Sequence, residues 1–252
     1  MKAAERQLRI RQMLESKDFL DLETLCRELD ASESSIRRDL DVLEEESVLK
    51  RVYGGAVPVQ PPANGAFDFT VESGRLSDEK SRIAKLTASL VEDGQTVILD
   101  GGSTVAAVAG ELANKSLHIV TNSLPIAEAL EARRNIELTL TGGYLDPRIR
   151  VMLGPLCEQM LSLIRADVLI MGIGSISEAG LSNNNTLVVG SEQKMIEIAG
   201  KVIIVADHTK FGRSAMIPVA QLDAADIVVS DSGLAPEYVE LLRSNGIEVL
   251  LA

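Results

Sequence analysis

Two short stretches of this sequence carry residue types that could do chemistry. In residues 29–57, LDASESSIRRDLDVLEEESVLKRVYGGAV, two arginines stand side by side at Arg37 and Arg38. A guanidinium can donate to both O6 and N7 of guanine, a bidentate contact that distinguishes one base from another. The second stretch is Asp100-Gly101-Gly102-Ser103-Thr104. Its glycines let backbone N–H groups approach an oxyanion, its hydroxyls add donors, and a following helix would add positive potential, which together suit a phosphate. Taken alone, the same run is equally an ordinary strand-to-helix turn capped by Ser and Thr.

The arginines can read bases only if a helix presents them. Ser32 is placed to cap such a helix, and Ile36, Leu40 and Leu43 recur at i, i+4 and i+7, fixing its buried face. At about 100° per residue, Ser34, Arg38, Asp41 and Glu45 then point away, with Arg37 to one side. Arg38 and Ser34 are therefore expected at base edges, and Arg37 and Ser35 near phosphates. Leu8, Met13 and Leu14 mark a preceding helix at roughly Glu5–Ser16, and Leu22, Leu25, Cys26 and Leu29 a second. Val48–Val57 alternates apolar and basic residues and ends in Gly54-Gly55, a hairpin that would bring Lys50, Arg51 and Tyr53 to the duplex as a wing. Residues 1–57 thus read as a winged helix-turn-helix contacting double-stranded operator DNA through Ser32, Ser34, Ser35, Arg37, Arg38, Lys50, Arg51 and Tyr53. The competing reading is a charged helix bundle whose arginines pair with Asp39 and Glu45.

Charge limits how such a module works. The chain of 252 residues carries a net charge of −12, and residues 1–57 hold 10 Lys and Arg against 13 Asp and Glu. Affinity for DNA must come from local clusters, at Arg6, Arg9 and Arg11 and then at Arg37, Arg38, Lys50 and Arg51. Cys26 and Cys157 stand far apart in apolar helical contexts, as reduced cytosolic thiols do. No apolar leader or membrane-length run occurs, so a cytoplasmic protein with no membrane contact is expected. The two histidines, His118 and His208, form no metal-ligand spacing with the cysteines. No metal and no cofactor is expected.

A length of 252 residues suggests two domains. Pro58–Ala66 carries three prolines and little that could pack, so residues 58–77 read as a semi-rigid linker. From Asp78 to Ala252 strands alternate with helices, the pattern of an α/β domain with a largely parallel sheet. Expected strands are Thr96–Leu99, His118–Val120, Ile136–Leu140, Val168–Met171, Val202–Ala206, Ile227–Val229 and Glu248–Leu250. Ligands of such sheets collect beyond the carboxyl ends of the strands. There the sequence sets Asp100 to Thr104, then Asn122 and Ser123, then Gly142 and Gly143, three small polar loops at one edge. Lys80, Lys194 and Lys210 could each add a cation, although a lone lysine is more often a solvated surface residue.

Residues 6–57 resemble the DeoR-type helix-turn-helix of bacterial sugar-metabolism regulators. The likeness rests on Ser32-Glu33-Ser34-Ser35-Ile36-Arg37-Arg38-Asp39-Leu40 and Arg51-Val52-Tyr53-Gly54-Gly55-Ala56. From Asp78 onward the chain resembles the DeoR carboxy-terminal sensor domain. D-G-G-S-T, V-T-N-S-L, T-G-G and Val205-Ala206-Asp207-His208-Thr209-Lys210-Phe211-Gly212 carry that likeness. The resemblance implies a fold shared with ribose-5-phosphate isomerase and a phosphorylated sugar or sugar-derived effector, its phosphate on Gly102, Ser103, Thr104 and Lys80. It implies a regulator of transcription, a repressor of a sugar pathway. A single wing-and-helix unit makes few contacts, so a homodimer or homotetramer is expected.

One departure stands out. Where many relatives carry V-K-R-x-M, this chain has Ser191-Glu192-Gln193-Lys194-Met195. Compared with the isomerase, Met171-Gly172-Ile173-Gly174 lacks both aspartates of its D-G-A-D segment. Gln193, which cannot act as a base, falls where the isomerase has its catalytic Glu, so a receptor rather than a catalyst is expected. An isomerase-like enzyme and a ligand-independent DNA-binding protein are the rival classes.

Overall fold

The computed structural model describes residues 3–15, 19–45, 48–52, 54–58 and 69–252. Its contacts divide the chain into two compact units, Met1–Arg75 and Leu76–Ala252.

The first unit holds α1 (Ala3–Glu15), β1 (Leu20–Asp21), α2 (Leu22–Glu28), α3 (Glu33–Glu45), β2 (Leu49–Val52), β3 (Gly55–Pro58) and α4 (Phe69–Gly74). Ile36, Leu40 and Leu43 of α3 are buried together with Leu25 and Leu29 of α2, Leu49 of β2, and Ile10 and Leu14 of α1. The first helix differs from its sequence reading in one residue. Leu8 is 52% exposed and Ile10 is in the core, because Ile10 and Leu14, at i and i+4, share a face from which Leu8 is turned by about 200°. The three strands lie in the order β1-β3-β2. Gly55 is required at the start of β3, since a Cβ there would lie 2.1 Å from the Leu20 carbonyl oxygen on β1.

Two features occupy the stretch expected to be linker. Pro58 pairs with Leu49 as the last residue of the wing, and α4 forms over Phe69–Gly74. The helix-breaking prolines end at Pro62, and nothing in Phe69–Gly74 opposes a helical turn before its closing glycine. Residues 59–68, the greater part of the proline-rich segment, lie outside the described residues.

The second unit opens with α5 (Ser77–Ala88) and continues through β4 (Thr96–Leu99), α6 (Ser103–Leu112), β5 (Leu117–Thr121), α7 (Leu124–Leu130) and β6 (Ile136–Leu140). A hairpin, β7 (Tyr144–Asp146) and β8 (Val151–Leu153), follows, then α8 (Pro155–Ser162), β9 (Ala166–Met171), β10 (Ser175–Ser177) and β11 (Gly180–Asn183). The chain ends through α9 (Thr186–Ile198), β12 (Ala199–Val205), β13 (Ile217–Ala220), β14 (Ile227–Ser230), α10 (Pro236–Ser244) and β15 (Glu248–Leu251).

Seven strands form one sheet in the order β15-β14-β12-β9-β4-β5-β6, and every pairing in it is parallel. These are the seven strands expected from the sequence. Their near-continuous Val, Ile and Leu runs follow from burial on both faces. Val97, Leu99, Ile170 and Val205 pack on one side with Ile83 of α5, Val105 and Leu112 of α6 and Ile126 of α7. Ile98, Leu169, Ile204 and Val228 pack on the other with Leu161 of α8, Met195 and Ile198 of α9 and Leu242 of α10. Short strands outside the sheet make a second, three-stranded sheet, β10-β11-β13, and the β7–β8 pair.

The order reverses between β4 and β9. From β4 the chain winds outward to β5 and β6, then returns past β4 to start β9 and winds the other way. Loops leaving two adjacent strands in opposite directions open a crevice at their carboxyl ends.

Candidate functional site

In the first unit the cap forms as the sequence suggests. The Ser35 N–H donates to Ser32 Oγ at 3.3 Å, and Ser32 Oγ lies 3.1 Å from Ser34 Oγ and 2.9 Å from Ser35 Oγ. Ser32, Ser34, Arg37 and Arg38 are exposed and Ser35 is half-buried. The two arginines differ in their partners. Arg37 donates to Glu33 Oε1 through Nε at 3.0 Å and Nη2 at 2.5 Å. Among the described residues Arg38 makes no ion pair or hydrogen bond, so its donors are open to a base edge.

The wing is less free than its composition suggests. The Arg51 guanidinium pairs with Asp41 of α3, and its N–H donates to Glu44 Oε1 at 2.7 Å. Lys50 is exposed. Tyr53 lies outside the described residues. Exposed pairs such as Arg37–Glu33 are worth only about 0–1 kcal/mol, so a phosphate can compete for those arginines.

The second unit brings the glycine-hydroxyl run to the topological reversal, directly after β4. Gly102 has φ +137° and precedes α6 without a side-chain cap. The first-turn N–H groups of a helix have no intrahelical partner. In α2 and α9 the side chains of Asp21 and Asn185 fill that role. In α6 none does. A Cβ on Gly102 would meet nothing within 4 Å, whereas one on Gly101 would lie 2.2 Å from Val151 Cγ1. Gly101 is thus a packing glycine beneath the hairpin, and Gly102 borders open space. Thr104 is buried and Ser103 half-buried.

The second and third loops close on the first. Thr121 Oγ1 donates to the Leu99 carbonyl at 2.6 Å and accepts from the Ser123 N–H at 3.0 Å. The Asn122 carbonyl accepts from the Met152 N–H at 2.7 Å, and the Thr141 N–H donates to the Thr121 carbonyl at 2.9 Å. Gly142 and Gly143 are exposed. At Gly143, with φ +130°, a Cβ would lie 2.5 Å from the Leu153 carbonyl oxygen, so close packing of β8 accounts for that glycine. Cys157 is buried nearby at 3.4 Å from Thr141 Oγ1, and burial pushes its thiol up from its ordinary range.

Two buried carboxyls meet in this region. Asp100 is pushed up to about 7 by burial, against the Gly101 N–H and the Asn122 side chain, which hydrogen-bond to it and pull it down. Glu192 lies well above its ordinary value, first through burial and then through the charge of Asp100, while Asn183 holds it down. Asn183 Nδ2 donates to Glu192 Oε1 at 2.8 Å. A Cβ on Gly174 would lie 3.1 Å from Asn183 Oδ1, and one on Gly172 would lie 3.8 Å from the Gly101 carbonyl. The loop after β9 therefore completes the crevice. Among the described residues four buried side-chain atoms lack a partner: Asn122 Oδ1, Ser123 Oγ, Glu192 Oε2 and Ser230 Oγ.

The lysines separate. Lys80 is buried in α5; because α5 leads into β4, its first turns lie toward the carboxyl rim. Lys210 is half-buried in the turn His208–Lys210 after β12, also at that rim. Lys194 pairs with Glu197 on α9 at 2.5 Å, so its charge is spent along its own helix. In the same helix Gln193 is exposed and donates to the Val219 carbonyl at 3.1 Å. The buried carboxyl of this segment is Glu192, whose role the sequence reading missed. Val189, Glu192, Met195 and Ile198, all buried, recur every third residue, a spacing that places Glu192 among inward-facing residues.

Among the described residues no group of three or more His, Cys, Asp or Glu side chains is placed to hold a metal. No helix among them is long and apolar enough to cross a membrane.

Residues 6–61 match the DeoR-like helix-turn-helix domain and residues 75–232 the DeoR C terminal sensor domain. The HTH-type transcriptional repressor GlcR of Bacillus subtilis (strain 168) is 34% identical over 250 residues, covering 98% of this chain and 95% of its own. The glycerol-3-phosphate regulon repressor of Escherichia coli (strain K12) is 31% identical over 253 residues and covers 100% of both chains. Among solved structures, a ribose 5-phosphate isomerase A from Methanocaldococcus jannaschii is 20% identical, covering 54% of this chain and 55% of that one at a TM-score of 0.40. So slight a likeness bears on no functional argument. With a helix-turn-helix joined to that sensor domain, and transcriptional repressors matching it along its whole length, the chain belongs to the DeoR family of DNA-binding transcriptional regulators.

Proposed function

We propose that this protein represses a sugar or sugar-derivative operon in the cytoplasm. On this reading it binds operator DNA as a homodimer or homotetramer and is released by a phosphorylated sugar-type effector. Arg38, Ser34 and Ser32 supply base and groove contacts, with Arg37, Ser35, Lys50, Arg51 and Tyr53 toward the phosphates. The effector phosphate sits at Gly102, Ser103 and Thr104, with Lys80 and Lys210 as rim cations.

One observation carries the effector half of this reading: the first turn of α6 opens uncapped at the reversal of the sheet, beside open space at Gly102. Unpaired N–H groups and the positive end of a helix make an anion site without further apparatus. The relatives' names agree with such an effector, one of them being a repressor of a glycerol-3-phosphate regulon. To move a regulator from 1:99 to 99:1 the effector must favour the DNA-free state by about 5.5 kcal/mol.

The test is a gel-shift titration on the DNA upstream of the gene, with and without a panel of sugar phosphates. Release by at least one member is expected. Replacing Ser103 and Thr104 by leucine should abolish release and leave operator binding intact. Release that survives this double substitution would place the phosphate elsewhere.

A buried carboxyl near 7, as at Asp100, also suits proton transfer beside a carbonyl. The same panel is therefore read for aldose–ketose conversion. Absence of turnover with release of DNA is the expected pair of results, in keeping with relatives that are regulators.

A further inference from the structure

One corner of the main sheet is left bare. The face covered by α8, α9 and α10 carries Ile98 of β4, Leu169 of β9 and Val120 of β5. By the two-residue alternation of a strand His118 lies on that face with Val120, and Glu137 of β6 is its register partner. His118 and Glu137 pair with each other there, their side chains 54% and 81% exposed. All-parallel sheets have both faces covered, so this corner wants a cover.

The helix bordering the corner is apolar where a surface helix is usually charged. Leu156 is 67% and Leu163 83% exposed. With half-buried Met160 between them, at i, i+4 and i+7, they form one stripe of α8. The opposite side of α8 meets α9, since a Cβ on Gly190 would lie 2.7 Å from Glu158 Oε1. The stripe is turned from Glu158 by roughly 140–200°, and so faces away from α9, on the side of β5 and β6 in the strand order. Leu163 closes the helix just before β9 begins, which sets it at the amino ends of the strands, as His118 and Glu137 are. The exposed residues of α8 and its cap are Pro155, Leu156, Gln159, Ser162 and Leu163, none of them charged. By contrast α10 exposes Glu237, Glu240 and Arg243.

We propose that a second copy of this chain seats on that stripe, its own α8 lying antiparallel and covering the bare corner beside His118 and Glu137. The proposal rests on the homo-oligomer reading above and names the surface that makes it. A two-fold contact must complement itself. Leu156, Met160 and Leu163 read nearly alike in both directions, so Leu156 of each copy meets Leu163 of the other, with Met160 close to the axis. Charge selects the occupant. Chains of net charge −12 can approach each other only through a surface free of like charge, and the cores of interfaces are depleted in charge. Duplex DNA would call instead for basic side chains.

Sedimentation velocity over a dilution series of the full chain tests it. Leu156→Glu and Leu163→Glu are compared with Leu251→Glu, which alters a 46% exposed leucine on β15 at the far end of the sheet from β5 and β6. All three side chains are exposed within one copy, so each variant should keep the native circular dichroism spectrum. The wild type should sediment as a dimer or tetramer. Each α8 substitution should raise its dissociation constant at least about tenfold, or halve a tetramer, and Leu251→Glu should leave it unchanged. An oligomer that resists either α8 substitution, or is weakened alike by all three, overturns the α8 surface and leaves the homo-oligomer reading standing. A wild type that is monomeric at every dilution overturns both.

Discussion

The Arg6 guanidinium lies 2.5 Å from the Asp39 carboxylate, with side chains only 13% and 3% exposed, and so ties the first helix to the helix that bears Arg38. Gln7 adds a second donor to the same carboxylate at 3.2 Å. Arg6 had read as part of a basic cluster for DNA. Its position instead assigns it to holding α3 in place, and the cluster facing the duplex is smaller than the count of arginines suggests.

Removing that carboxylate should therefore act on stability before it acts on DNA. Asp39→Ala removes the carboxylate to which both Arg6 and Gln7 donate, and breaking a buried pair from one side costs about 3–5 kcal/mol. Urea unfolding followed by circular dichroism should show the loss in the amino-terminal unit. A change below about 1 kcal/mol would mean that the pair behaves as a surface pair.

Arg38 and Arg37 should separate in a binding experiment. Arg38→Ala should cost roughly 1–3 kcal/mol at the operator and flatten its preference at one base pair. Arg37→Ala should weaken binding to all sequences alike and by less, since Arg37 must leave Glu33 to reach a phosphate. Titrations on the operator and on single-base variants distinguish the two. Equal effects across all sequences for Arg38→Ala would remove it from the base edge.

Gly102→Ala isolates backbone cost from steric cost. Nothing stands within 4 Å of the added carbon, yet φ of +137° is a region other residues rarely adopt, and holding one there costs about 1–3 kcal/mol. A thermal shift of the sensor domain with retained effector binding is expected if the loop survives the strain. A neutral substitution would show that the loop relaxes to another conformation.

The stability of the second unit should fall as pH rises from about 4 toward about 7. Asp100 titrates near 7 in the folded chain and near 3.9 when unfolded, so between those values the native state binds the extra proton. Unfolding free energy changes with pH as the protons bound in the unfolded state minus those in the native state, here a negative number. Glu192, also raised, adds to the same slope. Asp100→Asn should flatten it. Melting temperatures recorded from pH 4.5 to 8 in wild type and variant decide the matter, and a wild-type profile that rises over this range would contradict the burial of both groups.

The main sheet was legible in the sequence because its strands are buried on both faces. Val97-Ile98-Leu99, Val168-Leu169-Ile170-Met171 and Val202-Ile203-Ile204-Val205 are apolar without interruption, and turn residues bound most of them. The smaller strands were not. Ser175–Ser177 and Gly180–Asn183 are three and four residues long, polar or glycine-led, and they exist only because each pairs with a partner distant in sequence or across a tight turn. The same limit hid the site's second carboxyl. Glu192 stood out as a change of residue type, but its burial depends on Asp100 and Asn183, which the fold alone brings beside it. Lys194, one residue pair further along, looked equally able to serve and turned out to neutralise its neighbour.

The glycine-hydroxyl run belongs to the loop between β4 and α6, while Glu192 belongs to α9, packed on the other face of the sheet. Two sides of one crevice are thus written in separate stretches of the chain. Under the proposed reading, a substitution in one turn of α9 alters that crevice without disturbing the loop proposed to hold the phosphate.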